Sequence, residues 1–227
     1  MARTAEIYHE MIECLTTALE AKDPYTKGHS TRVADMAYQL GKLVGLQGDA
    51  LEDLHFAAHL HDIGKIGIPD RVLHKIGPLS TEELTIIQEH PIIGYQILAR
   101  FSRLKYMATI VLHHHERWDG RGYPAGLRGE EIPLSSRIIA VCDAIDAMTS
   151  VRPYREPLTL AECLFELRLN QGKQFDPELL KLMEKNNFLA FWGSTEFQPK
   201  RSMVGRRNGD IHHSASNPHP PIARPYV

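Results

Sequence analysis

His61-Asp62-Ile63-Gly64-Lys65 closes a run in which Leu51, Leu54 and Ala58 recur at helical spacing. With Asp49 as cap, that run predicts a helix delivering a histidine and an aspartate at its end. About fifty residues later stands His113-His114-His115-Glu116-Arg117-Trp118-Asp119-Gly120-Arg121-Gly122-Tyr123-Pro124, and then Asp143-Ala144-Ile145-Asp146. A histidine beside an aspartate supplies a neutral nitrogen donor and a carboxylate able to bridge two cations. Mixed nitrogen and oxygen donors suit Fe, Mn or Zn better than a thiolate-selective metal. The three strings therefore predict one metal site spread over several helices.

The remaining chain has helical period almost throughout. Ile7, Met11, Leu15, Ala18 and Leu19 form one stripe, stopped at Asp23-Pro24, and Val33, Met36, Ala37, Leu40 and Val44 form a second, ending near Gly45. Ser80 with Glu83, and Thr159 with Glu162, have capping-box spacing. Asp176-Pro177 reads as cap plus first turn, and Pro91 marks a break before Ile93 and Leu98. Strand alternation is rare, so the fold class is all-α, a helical bundle. Residues 116–133, rich in Gly, Pro and charge, predict a long functional loop. From residue 188 onward periodicity fades and Arg, His and Pro dominate. A domain over 1–187 and a disordered tail over 188–227 are expected.

A chain of 227 residues fits one medium domain with a sizeable core, or a domain plus a tail. A net charge of −2 argues against a nucleic-acid polymer as partner. Cys14, Cys142 and Cys163 are sparse and lack CxxC spacing, as expected of small buried thiols in a reducing compartment. No run approaches the roughly 18 apolar residues of a membrane span, and the N-terminus lacks the apolar core of a signal peptide. The expected location is the cytoplasm.

The chain resembles the HD-GYP phosphodiesterases, a branch of the HD metal-dependent phosphohydrolases. The matching segments are DPYTKGHSTRV from Asp23, HDIGKIGIPD from His61, HPIIG from His90 and HHERWDGRGYPAGLRGEEIP from His114. RIIAVCDAIDAMTSVRPYR from Arg137 and GKQFDPELL from Gly172 complete the set. The resemblance implies an HD-type bundle with a Gly-Tyr-Pro loop. It also implies two divalent metal ions, Fe or Mn, held by His29, His61, Asp62, His90, His114, His115 and Asp143, with Asp62 bridging. Tyr25 stands where some relatives carry an acidic residue for a third ion, so two ions are expected. His113 reads as a neighbour of the donors, and His9, His55, His59 and His74 as ordinary surface or core histidines.

The same resemblance implies hydrolysis of cyclic di-GMP to linear pGpG and onward to GMP. Lys65 is expected to stabilise charge on the phosphoryl oxygens, with Asp62 as the other catalytic residue. Arg152 and Arg155 would grip substrate phosphate. Tyr123 would face substrate or else pin its own loop, as would Trp118. Asp146 is expected to support a ligand from behind or to face substrate. The loop has been linked to diguanylate cyclase (GGDEF) domains as partners, and an oligomer is compatible with the sequence. The alternatives are hydrolysis of another nucleotide phosphodiester and a cyclic-dinucleotide-binding or interaction module with little turnover.

Overall fold

The computed structural model describes residues 2–23, 27–150 and 156–194. Eleven α-helices appear among them: α1 (Ala2–Lys22), α2 (His29–Leu43), α3 (Gly48–His59), α4 (Asp70–Leu73), α5 (Thr81–Ile87), α6 (His90–Leu98), α7 (Lys105–Leu112), α8 (Leu134–Thr149), α9 (Leu160–Leu169), α10 (Pro177–Lys185) and α11 (Phe188–Ser194). No strand occurs among the described residues, and the one isolated bridge pairs Gln171 with Phe175. Among the described residues no helix is long and apolar enough to cross a membrane.

Local signals set many of the boundaries. Ser80 and Thr159 each make the reciprocal bonds of a capping box with Glu83 and Glu162. Asp176 accepts from the amides of Glu178 and Leu179, and Pro177 opens α10. Gly45, at φ 91°, turns the chain out of α2. Asp49 is not the cap of α3; the helix begins at Gly48 after an extended Gln47, and Asp49 lies in the first turn.

The core lies among α2, α3, α7 and α8, where Val33, Met36, Leu40, Leu54, Ile110 and Ile138 are fully enclosed. Helix α8 is buried over most of its surface, with Asp143 and Asp146 among the enclosed residues. The second expected stripe lies in this core. The first does so only at its end: Ile7, Met11, Leu15 and Ala18 are exposed, Leu19 is buried, and Ile12 and Thr16 complete the inward face of α1. Thr16 bonds to the carbonyls of Ile12 and His59, which turns that face inward. Cys142 and Cys163 are buried thiols, whereas Cys14 is exposed.

The folded part extends beyond the expected boundary at residue 187. Phe188–Ser194 form α11, and Phe188, Leu189 and Trp192 are buried in the main core. These apolar residues lie on one side of a short helix, which covers the ends of α9 and α10. Residues 195–227 lie outside the described residues.

Candidate metal centre

Two groups of donors converge where the helix ends meet. Asp62, His90, His114 and His115 form one, and His29, His61 and Asp143 form the other. In each group one donor atom per residue lies within 4.8 Å of the rest. His29 opens α2, His61 follows α3, His90 opens α6, His114 and His115 follow α7, and Asp143 lies within α8.

Three of the histidines are set by the same local device. The Nδ1–H groups of His61, His90 and His114 donate to the carbonyls of Ala58, Ile87 and Val111, at 2.7, 2.8 and 2.6 Å. Each acceptor lies three residues upstream, among the last carbonyls of α3, α5 and α7, which lack helical partners. The bond occupies Nδ1 and leaves Nε2 bare, the arrangement usual for a metal-ligating imidazole.

The bare atoms face one another. The Nε2 atoms of His90 and His114 are 3.3 Å apart, and two lone pairs at that distance repel unless a cation lies between them. Nε2 of His61 is buried without a hydrogen-bond partner among the described residues, a costly condition unless something else satisfies it. Asp62 points one oxygen toward His61 and the other toward His90, at 3.5 and 3.4 Å. It is thus oriented to bridge the two groups. The donor chemistry fits two divalent ions with mixed nitrogen and oxygen ligation.

Electrostatics agree with that fit. Burial holds His90 and His114 at about 4 and about 3, so both are neutral donors. Burial and the adjacent His114 push His115 well down. Asp62 resists the upward push of burial because Lys65 and the surrounding histidines hold it far below the usual carboxylate range. His29 behaves differently. Burial would lower it, yet its bonds to Asp143 and Asp146 raise it to about 9. His29 Nε2 and Asp143 Oδ1, two donor atoms of one group, stand 3.3 Å apart.

Lys65 is buried with its ammonium 2.7 Å from Asp62, so it is fixed against that carboxylate. Tyr123 stacks on His115 with ring centres 5.0 Å apart. Its buried hydroxyl has no hydrogen-bond partner among the described residues. Burial, Asp62 and Asp143 all raise that phenol. Asp146 does not face an open substrate space, because its oxygens are taken by His29 and Arg32. Arg152, Arg155 and Tyr25 lie outside the described residues. Of the histidines read as ordinary, His59 is in the core beside His55, and His74 contacts the Lys22 carbonyl.

Glu116 is a site-supporting residue that carried no assignment in the sequence. Its buried carboxylate accepts the amides of Ala125 and Leu127, at 2.7 and 3.1 Å, and so ties down the loop around Tyr123. A glutamate immediately after the paired donors was the available signal. Gly122 is required there, since a Cβ would stand 2.4 Å from the Arg117 amide nitrogen. The segment from Gly172 seats the loop's other side through Trp118 N–H to Gln174 and Asp119 N–H to Lys173. Arg137 covers the Trp118 ring at 5.6 Å, so this tryptophan pins the loop to its domain.

Residues 13–179 match the model of the HD domain family. A cyclic di-GMP phosphodiesterase of Thermotoga maritima is 44% identical, covering 78% of this chain and 48% of the relative. The cyclic di-GMP phosphodiesterase response regulator RpfG of Xanthomonas campestris pv. campestris is 41% identical, covering 78% and 47%. A 3′3′-cGAMP-specific phosphodiesterase 2 of Vibrio cholerae is 38% identical, covering 81% and 35%. The chain thus spans about half or less of these relatives' length. Among solved structures, the V. cholerae cyclic GMP-AMP phosphodiesterase V-cGAP3 superposes with a TM-score of 0.61 at 24% identity, over 82% of this chain and 51% of that one. The HD domain of PgpH from L. monocytogenes in complex with cyclic di-AMP gives 0.57 at 22% identity, over 82% and 99%. A helical bundle with its histidine donors at helix ends, matched by the family model across most of its length, establishes that this chain belongs to the HD domain family.

Proposed function

We propose that this chain is a hydrolase that cleaves the phosphodiester bonds of a cyclic dinucleotide, with cyclic di-GMP as substrate. One observation carries the reading: two donor groups meet at Asp62 with their bare Nε2 atoms turned inward. The substrate class is supported by similarity to relatives described as cyclic di-GMP phosphodiesterases. Cyclic di-GMP, rather than the 3′3′-cGAMP of another relative, is the finer part of the proposal.

Two divalent transition-metal ions, Fe or Mn, would supply activated water and neutralise phosphate oxygens. His29, His61 and Asp143 would hold one, His90, His114 and His115 the other, and Asp62 both. Lys65, fixed on Asp62, adds a preorganised positive charge beside the reacting phosphate. The Tyr123 hydroxyl, buried and unpaired, donates to a phosphate oxygen. Arg152 and Arg155 grip the second phosphate, and two rounds of cleavage yield pGpG and then GMP. The exposed loop residues Arg121 and Arg128 offer the contact surface for diguanylate cyclase domains.

The test is product analysis with cyclic di-GMP after anaerobic loading with Fe or Mn, on the parent and on Asp62→Ala. The expected outcome is pGpG and GMP from the parent and neither from the variant. Tight binding without product by the loaded parent would replace the enzyme reading with a binding module.

A further inference from the structure

The clustered histidines are not supported alike. His61, His90 and His114 rest on neutral backbone carbonyls. His29 rests on a carboxylate, with its Nδ1 2.7 Å from Asp146 Oδ2. Arg32 in turn grips that carboxylate with its fork, Nε to Oδ1 at 2.6 Å and Nη2 to Oδ2 at 3.0 Å. Nη2 also reaches the Ser150 hydroxyl at 3.2 Å. Arg32 lies three residues after His29 on α2, and Asp146 three residues after Asp143 on α8. The bonds therefore clamp together the two helices that supply both of these donors.

We propose that Arg32 and Asp146 are a positioning pair that sets ion affinity at the His29–His61–Asp143 position selectively. A carboxylate behind a ligating imidazole fixes its ring and strengthens it as a donor. A buried carboxylate is tolerated only when paired, and the planar guanidinium supplies two parallel bonds. Neither residue touches His90, His114 or His115, so the second position has no direct dependence on the pair. The inference rests on the two-ion reading.

The experiment is calorimetric titration of chelator-stripped protein with Mn2+ alone, for the parent, Asp146→Asn and Arg32→Lys. The parent is expected to show two binding steps. Asp146→Asn keeps the side-chain shape but removes the charge, and is expected to weaken one step about 10–100-fold while sparing the other. Arg32→Lys, able to replace only part of the fork, is expected to fall between. Adding His115→Ala to each background removes the other step and identifies the one affected. Urea midpoints of the stripped proteins separate positioning from structure, since a merely structural role would lower the midpoint and weaken both steps together. Should Asp146→Asn fail to fold, Arg32→Lys carries the same comparison. A parent with two steps and variants that retain both, or lose both equally, overturns the inference and leaves the two-ion reading intact. A parent that binds no Mn2+ overturns both.

Discussion

Replacing Glu116 with Ala tests whether the loop around Tyr123 is held by one buried carboxylate. Glu116 is 3% exposed and accepts two backbone amides, those of Ala125 and Leu127. Hydrogen bonds to a charged group contribute roughly 1.5–3 kcal/mol each. Water can reach exposed Ala125 and replace part of that loss, so about 2–4 kcal/mol is expected overall. At about 1.4 kcal/mol per tenfold, the open form of the loop becomes roughly 30- to 800-fold more populated. Amide hydrogen exchange reads this directly at Ala125 and Leu127, and the core amides of α8 serve as an internal reference. Glu116→Gln is expected to be nearly as damaging, because its amide nitrogen presents a donor to a backbone donor. Release of the loop also frees Tyr123 from its stack on His115. Unchanged protection at both amides in Glu116→Ala would refute the anchoring role, whatever happened to activity.

Chelator-stripped protein is expected to be most resistant to urea near pH 6.5 to 7. His90 and His114, held by burial at about 4 and about 3, refuse protons that the unfolded chain accepts near 6.5. Their contribution is present above that value and is lost as pH falls toward 4. His29, raised to about 9, contributes stability that is complete below 6.5 and disappears as pH rises through 9. Midpoints at pH 4.5 and 9.5 should both lie below that at 6.5, and a continuous rise to 9.5 would contradict the His29 assignment. Truncation after Asn187 removes Phe188, Leu189 and Trp192, each contributing roughly 1.5–3 kcal/mol through burial. Thermal unfolding should shift down sharply for that truncation but hardly at all for one after Ser194. Equal midpoints for the two truncations would mean that α11 adds nothing to the core.

The helical class, the caps at Ser80, Thr159 and Asp176, and the residues able to bind metal are legible in the chain alone. These are local properties: a period of 3.6, a cap and its partner three residues on, or a histidine beside an aspartate. Even the carbonyl support of His61, His90 and His114 spans three residues and depends only on where a helix ends. Which face of α1 is buried, where Asp146 turns and what Glu116 holds follow instead from how the helices pack. The stripe of Ile7, Met11 and Leu15 is as helical as the one that packs, and periodicity cannot say which face meets a neighbour. The Asp146 bonds to His29 and Arg32 bridge 117 and 114 positions of chain. They exist because α2 packs against α8, a pairing set by the volumes of interior side chains and by no signal within either helix.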